Sequence, residues 1–184
     1  MNIPLNHVRL SYPQLFKAKS FSAPRPGETP SEPKFSASAI LDKVKHAALI
    51  EAIRAGMKAV AEEKWGVGKV PKTVKYCLRD GSEKEDTDGY GEDIMFVSAS
   101  SAKRPAVVDK DYSPLTEESG KPYAGCYVHM SIRLWAQDNQ FGKRINAQLR
   151  AVQFVEDGDA FGEPPVDPQK EFKQFEGKDD PSLE

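Results

Sequence analysis

From Tyr123 to Phe154 the chain reads YAGCYVHMSIRLWAQDNQFGKRINAQLRAVQF, with apolar and other residues alternating in both halves. In the first half Ala124, Cys126, Val128, Met130, Ile132, Leu134 and Ala136 fall on one side. Tyr123, Tyr127, His129, Ser131, Arg133 and Trp135 fall on the other. In the second half Ile145, Ala147, Leu149 and Ala151 share a side, opposite Arg144, Asn146, Gln148 and Arg150. Successive strand side chains point to opposite faces, so this period of two predicts a long β-hairpin with one buried face. Its turn is expected at Gln137–Gly142, with Phe141 at the tip beside Lys143 and Arg144.

The outward row of such a hairpin carries rings, guanidinium groups and amides. That mixture suits single-stranded nucleic acid, because rings stack on bases and cations follow the phosphates. Tyr123, Tyr127 and Trp135 are the stacking candidates. Arg9, Lys34, Lys103, Arg104, Arg133, Arg144 and Arg150 are the phosphate candidates. The alternative is an ordinary wet sheet face, where Tyr, Trp and Arg are common, or a protein-docking surface.

The rest of the chain supplies more strands and one helix. Leu5–Tyr12 alternates weakly, with Val8, Leu10 and Tyr12 expected inward, Arg9 and Ser11 outward, and Pro13 as the stop. Residues 17–33 hold four prolines and a glycine and are expected to form a loop. Lys17, Lys19, Phe21 and Arg25 there could clamp a nucleic-acid strand, or simply be solvated. KFSASAIL (34–41) and IMFVSASS (94–101) read as strands, and a short one follows from Ala106. Between them Ala47, Ile50, Ile53, Met57, Val60 and Ala61 recur at helical spacing. They predict a helix from Lys43 to about Lys64 with Asp42 as its N-cap and Gly56 as a weak point. The expected class is therefore mainly β with one long helix.

Charge is unevenly shared. Glu156 to the C-terminus holds ten carboxylates and three lysines, so the remainder is mildly basic although the whole chain is −2. Domain boundaries are expected at 1–158 for the folded body and 159–184 for an acidic tail, disordered because it has too little apolar surface to offset chain entropy. Phe161, Phe172 and Phe175 are candidate docking elements in that tail. The tail is expected to compete with a polyanion for the basic face, so that truncation after Asp157 tightens DNA binding. The acidic run Asp80–Asp88 offers a rival reading, a metal-dependent nuclease, although consecutive carboxylates usually form a solvated loop. Cys77, Cys126, His7, His46 and His129 fit no zinc spacing, so neither a metal nor a cofactor is expected. No apolar run approaches the ~20 residues that span a bilayer. The N-terminus lacks a signal-peptide layout, which points to the cytoplasm.

The segments VRLSYPQLF, KFSASAILDK, DGSEKEDTDGY, FVSASSAKRPAVVD, YAGCYVHMSIRLWAQ and FGKRINAQLRAVQFVEDG occur in that order. As a series they resemble the phage single-stranded DNA-binding proteins with an OB-fold, over roughly residues 5–162. The resemblance implies a five-stranded barrel that binds single-stranded DNA without strong sequence preference. It also implies an acidic tail that contacts replication or recombination enzymes, dimerisation, and no catalysis. OB-folds grip oligonucleotides with the loops after strands 1 and 4, here 17–33 and 137–143. One departure stands out: the helix is expected after only two strands, whereas the usual OB order places it after the third.

Overall fold

The computed structural model describes residues 1–20 and 31–162. Its elements in order are β1 (Asn2–Lys19), β2 (Lys34–Asp42), α1 (Ala47–Trp65), β3 (Lys75–Tyr76), β4 (Leu78–Asp80), β5 (Ile94–Ser101), β6 (Ala106–Val108), β7 (Tyr127–Asn139) and β8 (Gly142–Glu156). Five of the strands close into a barrel in the order β1-β2-β5-β8-β7, with β7 returning to β1. All neighbours are antiparallel except β5 and β8, which meet in parallel at Ala99↔Ala147 and Ser100↔Gln148. Two alanines at this closing contact keep the inner side chains small where the strands converge. Leu5, Leu10, Leu41, Ile132, Ile145 and Leu149 fill the interior and are essentially inaccessible. Each such side chain contributes about 1.5–3 kcal/mol by leaving water. This is the mainly-β, OB-like barrel with one helix that the sequence predicts. The expected tail disorder concerns residues that, beyond Gly162, lie outside those described.

The helix sits between the second and third barrel strands, and among the described residues only β1 and β2 precede it. The order is a true departure from the usual OB arrangement. Helix α1 begins at Ala47, not Lys43. The Asp42 carboxylate instead accepts from the N–H groups of Val44 and Lys45, closing a turn ahead of the helix. The helix runs unbroken through Gly56, whose missing side chain admits Ile3 and Leu134: a Cβ there would lie 2.9 and 3.0 Å from their δ-carbons.

Three irregularities correct the simple alternation. Strand β1 does not stop at Pro13: it continues to Lys19 across a break in pairing between Ser11 and Gln14. Tyr12 there adopts φ 46° and its ring lies outward, not inward as expected, while Ser11 pairs with Ser38 on the outer face, as expected, but is covered by its neighbours. On β8, Ser131 pairs with Ala151 and Ile132 with Leu149, so Arg150 is an extra, bulged residue. The buried row shifts from Leu149 to Val152 and Phe154, and Ala151 leaves the core face. Finally, β7 starts at Tyr127 and the hairpin turn shrinks to Gln140–Phe141.

The histidines, far apart in sequence, meet at a break in β1–β7 pairing between Leu5 and Val8. His7 donates its backbone N–H to His129 Nδ1 at 3.0 Å, its ring lies 2.6 Å from the Glu156 carboxylate, and His46 Nε2 is 3.0 Å from the His7 carbonyl. Both thiols are shielded: burial pushes Cys77 and Cys126 up to about 11, so neither is a reactive thiolate. Among the described residues no helix is long and apolar enough to cross a membrane.

Candidate nucleic-acid interface

Strands β2 and β5 both carry the triplet Ser-Ala-Ser, and their register sets the copies face to face. Ser36 pairs with Ser100, Ala37 with Ala99, and Ser38 with Ser98. The alanines point into the barrel and are almost wholly buried. The serines therefore pave its outer wall, with the Ser38 and Ser98 hydroxyls 3.0 Å apart. Small side chains on a convex barrel leave a depression. It is an open groove of about 500 Å³ bordered by Tyr12, Gln14, Lys19 and Lys84.

One end of this groove is built from rings around a cation. Lys84 Nζ lies 4.9 Å from the Tyr12 ring centre, 5.3 Å from Tyr90 and 5.1 Å from Phe96. Tyr12 is half exposed, so its other face is open to a ligand. Tyr90 is buried, and its hydroxyl finds no partner at normal hydrogen-bond geometry among the described residues. Burial pushes that phenol up, opposed by the nearby Ser11 and Ser38 hydroxyls.

At the other end the groove runs past Ser100 into a second depression lined by Lys34, Trp135, Phe141, Arg144 and Asn146. Trp135 stands opposite Asn146, and Gln137 opposite Arg144, on the paired β7 and β8. The Gln137 amide oxygen accepts from Asn146 at 2.9 Å and fixes this wall. Trp135 is 43% and Phe141 73% exposed, so both rings have a free surface. Lys19 pairs in register with Lys34. Exposed Lys103 and Arg104 follow β5 beyond Ser101, with the Arg104 guanidinium 5.6 Å from the Phe16 ring. Several cations thus converge on one end of the barrel.

The sequence-predicted residues divide between this groove and other places. Lys19, Lys34, Trp135, Phe141 and Arg144 line it, and Lys103 and Arg104 stand near its basic end. Arg133 lies exposed two residues before Trp135, and Arg150 is exposed at the bulge. Lys17 pairs with Glu117 at 3.0 Å. Lys143 is held by Asp138 at 2.7 Å, in a cluster with the Trp65 indole. That ion pair, with the indole N–H, holds the Asp138 carboxyl below its usual range. Tyr123, Tyr127 and Arg9 lie in a separate place: the Arg9 guanidinium stands over the Tyr127 ring and donates to the Gly125 and Asp159 carbonyls, and the Tyr123 hydroxyl donates to Asp157. Phe21 and Arg25 lie outside the described residues.

Tyr12, Gln14, Lys84 and the four serines are among the groove residues that the sequence reading missed. The duplicated Ser-Ala-Ser was the available signal for the serines. Lys84 was hidden inside the acidic run, which the structure disperses. Asp80 bonds Lys43 at 2.7 Å and accepts from the Ser82 N–H, which lowers its carboxyl to about 2. Glu83 is held by Arg79. Among the described residues no three His, Cys, Asp or Glu side chains gather as a metal site. The nuclease reading therefore has no support from this loop.

The family described as Enterobacter phage Enc34, ssDNA-binding protein, matches residues 1–182. Protein p50 of the Acyrthosiphon pisum secondary endosymbiont phage 1 is 41% identical, over 88% of this chain and 86% of its own. The structure of the bacteriophage Enc34 single-stranded DNA-binding protein in complex with ssDNA superposes with a TM-score of 0.73 at 30% identity, covering 88% of this chain and 89% of that one. The gp2.5 single-stranded DNA-binding protein of bacteriophage T7 shares the fold, with a TM-score of 0.54 at 14% identity over 95% of this chain and 93% of its own. With a family match across nearly its whole length, this chain belongs to the Enc34-type phage single-stranded DNA-binding protein family.

Proposed function

We propose that this protein binds single-stranded DNA, without strong sequence preference, along the groove from Tyr12 and Lys84 across the serines to Trp135 and Arg144. The observation that carries this reading is the groove itself: exposed rings at both ends, cations along its borders and a hydroxyl floor between. A serine hydroxyl both donates and accepts, so the floor meets the edge of any base. The rings stack on any base, and the cations track the backbone. Lys19, Ser20 and Lys34, at the two ends of the connection after β1, and Phe141 of the β7–β8 turn line the groove, and OB-folds use these two loops to hold oligonucleotides. The protein is a binding protein, not an enzyme.

The test is titration of a fluorescein-labelled dT oligonucleotide at two salt concentrations, beside a duplex of equal length. Tight single-strand binding that weakens with salt is expected, with Trp135→Ala and Tyr12→Ala each costing about 1–3 kcal/mol. Equal affinity for duplex, or no effect of either substitution, would refute the groove as the site.

Three further parts of the reading rest on the family and on the charge split. The protein works in the host cytoplasm. It pairs as a homodimer, which sedimentation equilibrium would reveal or exclude. Its acidic C-terminal residues recruit replication or recombination enzymes, an idea that fails if a chain ending at Gly162 retains such enzymes as well as the full chain.

A further inference from the structure

The residues after β8 do not leave the barrel at once. The Tyr123 hydroxyl donates to the Asp157 carboxylate at 2.7 Å, and the Gly158 N–H reaches the Tyr123 oxygen at 3.2 Å. Arg9 donates through Nη2 to the Asp159 carbonyl at 2.6 Å and through Nε to the Gly125 carbonyl at 3.0 Å. The Phe161 N–H donates to the Ala124 carbonyl at 3.0 Å, and the Gly162 N–H to the Asp88 carboxylate at 3.2 Å. Residues 157–162 are thus a strap fastened across β1 and the segment before β7.

The sequence clears the track for it. A Cβ on Gly125, which has φ 103°, would lie 2.2 Å from the Asp159 carbonyl oxygen. A Cβ on Gly89, which has φ 83°, would lie 2.3 Å from the Phe161 ring. At both places left-handed backbone and close approach coincide, and only glycine meets both demands.

The strap ends in a small second core outside the barrel. Ile40, Tyr90 and Phe96 form it, and Phe161 packs on it beneath the Arg9 guanidinium, 4.3 Å from the ring centre. Tyr90 and Phe96 are also two of the three rings around Lys84. The loop that carries Lys84 is therefore bounded on one side by the groove and on the other by Phe161.

We propose that Phe161 is a positioning residue for DNA binding: by completing the Ile40–Tyr90–Phe96 cluster it holds Lys84 and Tyr12 in the groove. The strap is a working part of the binding body, and the tail begins only after it. This inference rests on the groove being the DNA site. It reverses the truncation expected from sequence, since a cut after Asp157 removes the strap along with the tail.

The experiment measures dT-oligonucleotide affinity against salt for full-length Lys84→Ala, Phe161→Ala, Phe161→Leu and the Lys84→Ala/Phe161→Ala pair, well below their unfolding temperatures. Lys84→Ala is expected to weaken binding and lower the salt slope by about 1, one phosphate contact. Phe161→Ala is expected to reproduce both effects in part, Phe161→Leu to restore them, and the pair to bind no worse than Lys84→Ala alone. A chain ending at Gly162 should keep the full slope and one ending at Asp157 should lose it, which keeps the test sound if Phe161→Ala folds poorly. Should Lys84→Ala weaken binding while Phe161→Ala and the Asp157 cut do not, or should the two substitutions simply add, the positioning role is overturned and the groove stands. Should Lys84→Ala, Tyr12→Ala and Trp135→Ala all leave affinity unchanged, the groove falls and the inference with it.

Discussion

Ser98 is exposed on β5 and contacts the groove rather than the core. A carboxylate there would face any phosphate or base edge laid along the floor without disturbing barrel packing. Ser98→Glu is therefore expected to weaken single-strand binding at least about tenfold at low salt, the cost of one misplaced like charge in a partly desolvated groove. The unfolding temperature should stay near that of the wild type, and the two measurements together separate a blocked groove from a damaged fold. Lys17 gives the opposite case. It is already paired with Glu117, so Lys17→Ala is expected to change affinity less than about twofold, in line with the small value of exposed ion pairs. Single residues were legible in the sequence only by type. Trp135 and Arg144 announced themselves as a ring and a cation on an outward row. Tyr12 did not, because its side depends on one left-handed backbone turn beside Pro13 that strict alternation does not foresee.

Strand β8 shows what decides faces at the scale of an element. Its bulge at Arg150 lets Leu149 and Val152 both point inward although an odd step separates them. Deleting Arg150 would restore regular pleating with Leu149, Val152 and Phe154 all still inward, whereas deleting Arg150 and Ala151 together would set Leu149 next to Val152 and turn one of the two inward rows away from the core. Exposing even two large apolar side chains at about 1.5–3 kcal/mol each consumes much of a small domain's stability. The double-deletion variant is expected to be largely unfolded, visible as lost cooperativity in thermal melts, whereas the Arg150 deletion and Arg150→Ala should both keep a cooperative melt. The strands themselves were legible: IMFVSASS matches β5 residue for residue, and the β2 reading differs only by Asp42. What period alone could not supply was where pairing slips, as at Leu5/Val8, Ser11/Gln14, Gln14/Lys19, Tyr127/Val128 and Arg150, because those places are set by partners distant in sequence. The helix start was misplaced for a related reason: Asp42 is a good cap, but it closes the turn before the helix.

For the molecule as a whole, acid is the condition that tests how its loops are tied to the barrel. The carboxyls of Asp42, Asp80, Asp109, Asp111, Glu118 and Asp138 are all held below their usual values. The causes are local: Lys43 on Asp80, Lys121 on Asp109, Lys143 on Asp138, backbone N–H groups on Asp42, a Ser113 hydroxyl on Asp111, and for Glu118 its own N–H and Thr116. A depressed carboxyl favours the folded state while it is ionised, so its contribution is complete above the unfolded value, 3.8 for an aspartate such as Asp80. It is lost as pH falls toward the folded value, about 2 for Asp80. These bonds fasten the loop carrying Lys84, the segment before β7 and the hairpin tip, so the fold should lose stability steadily between about pH 4 and pH 2. Thermal melts across that interval measure it. Asp80→Asn removes the most strongly shifted of these groups, so that variant should start less stable at pH 7 and lose less on acidification. If wild type and Asp80→Asn fall in parallel from pH 4 to pH 2, the Lys43–Asp80 bond is not what ties the groove loop to β2, and Lys84 must owe its place to the ring cluster and the strap alone.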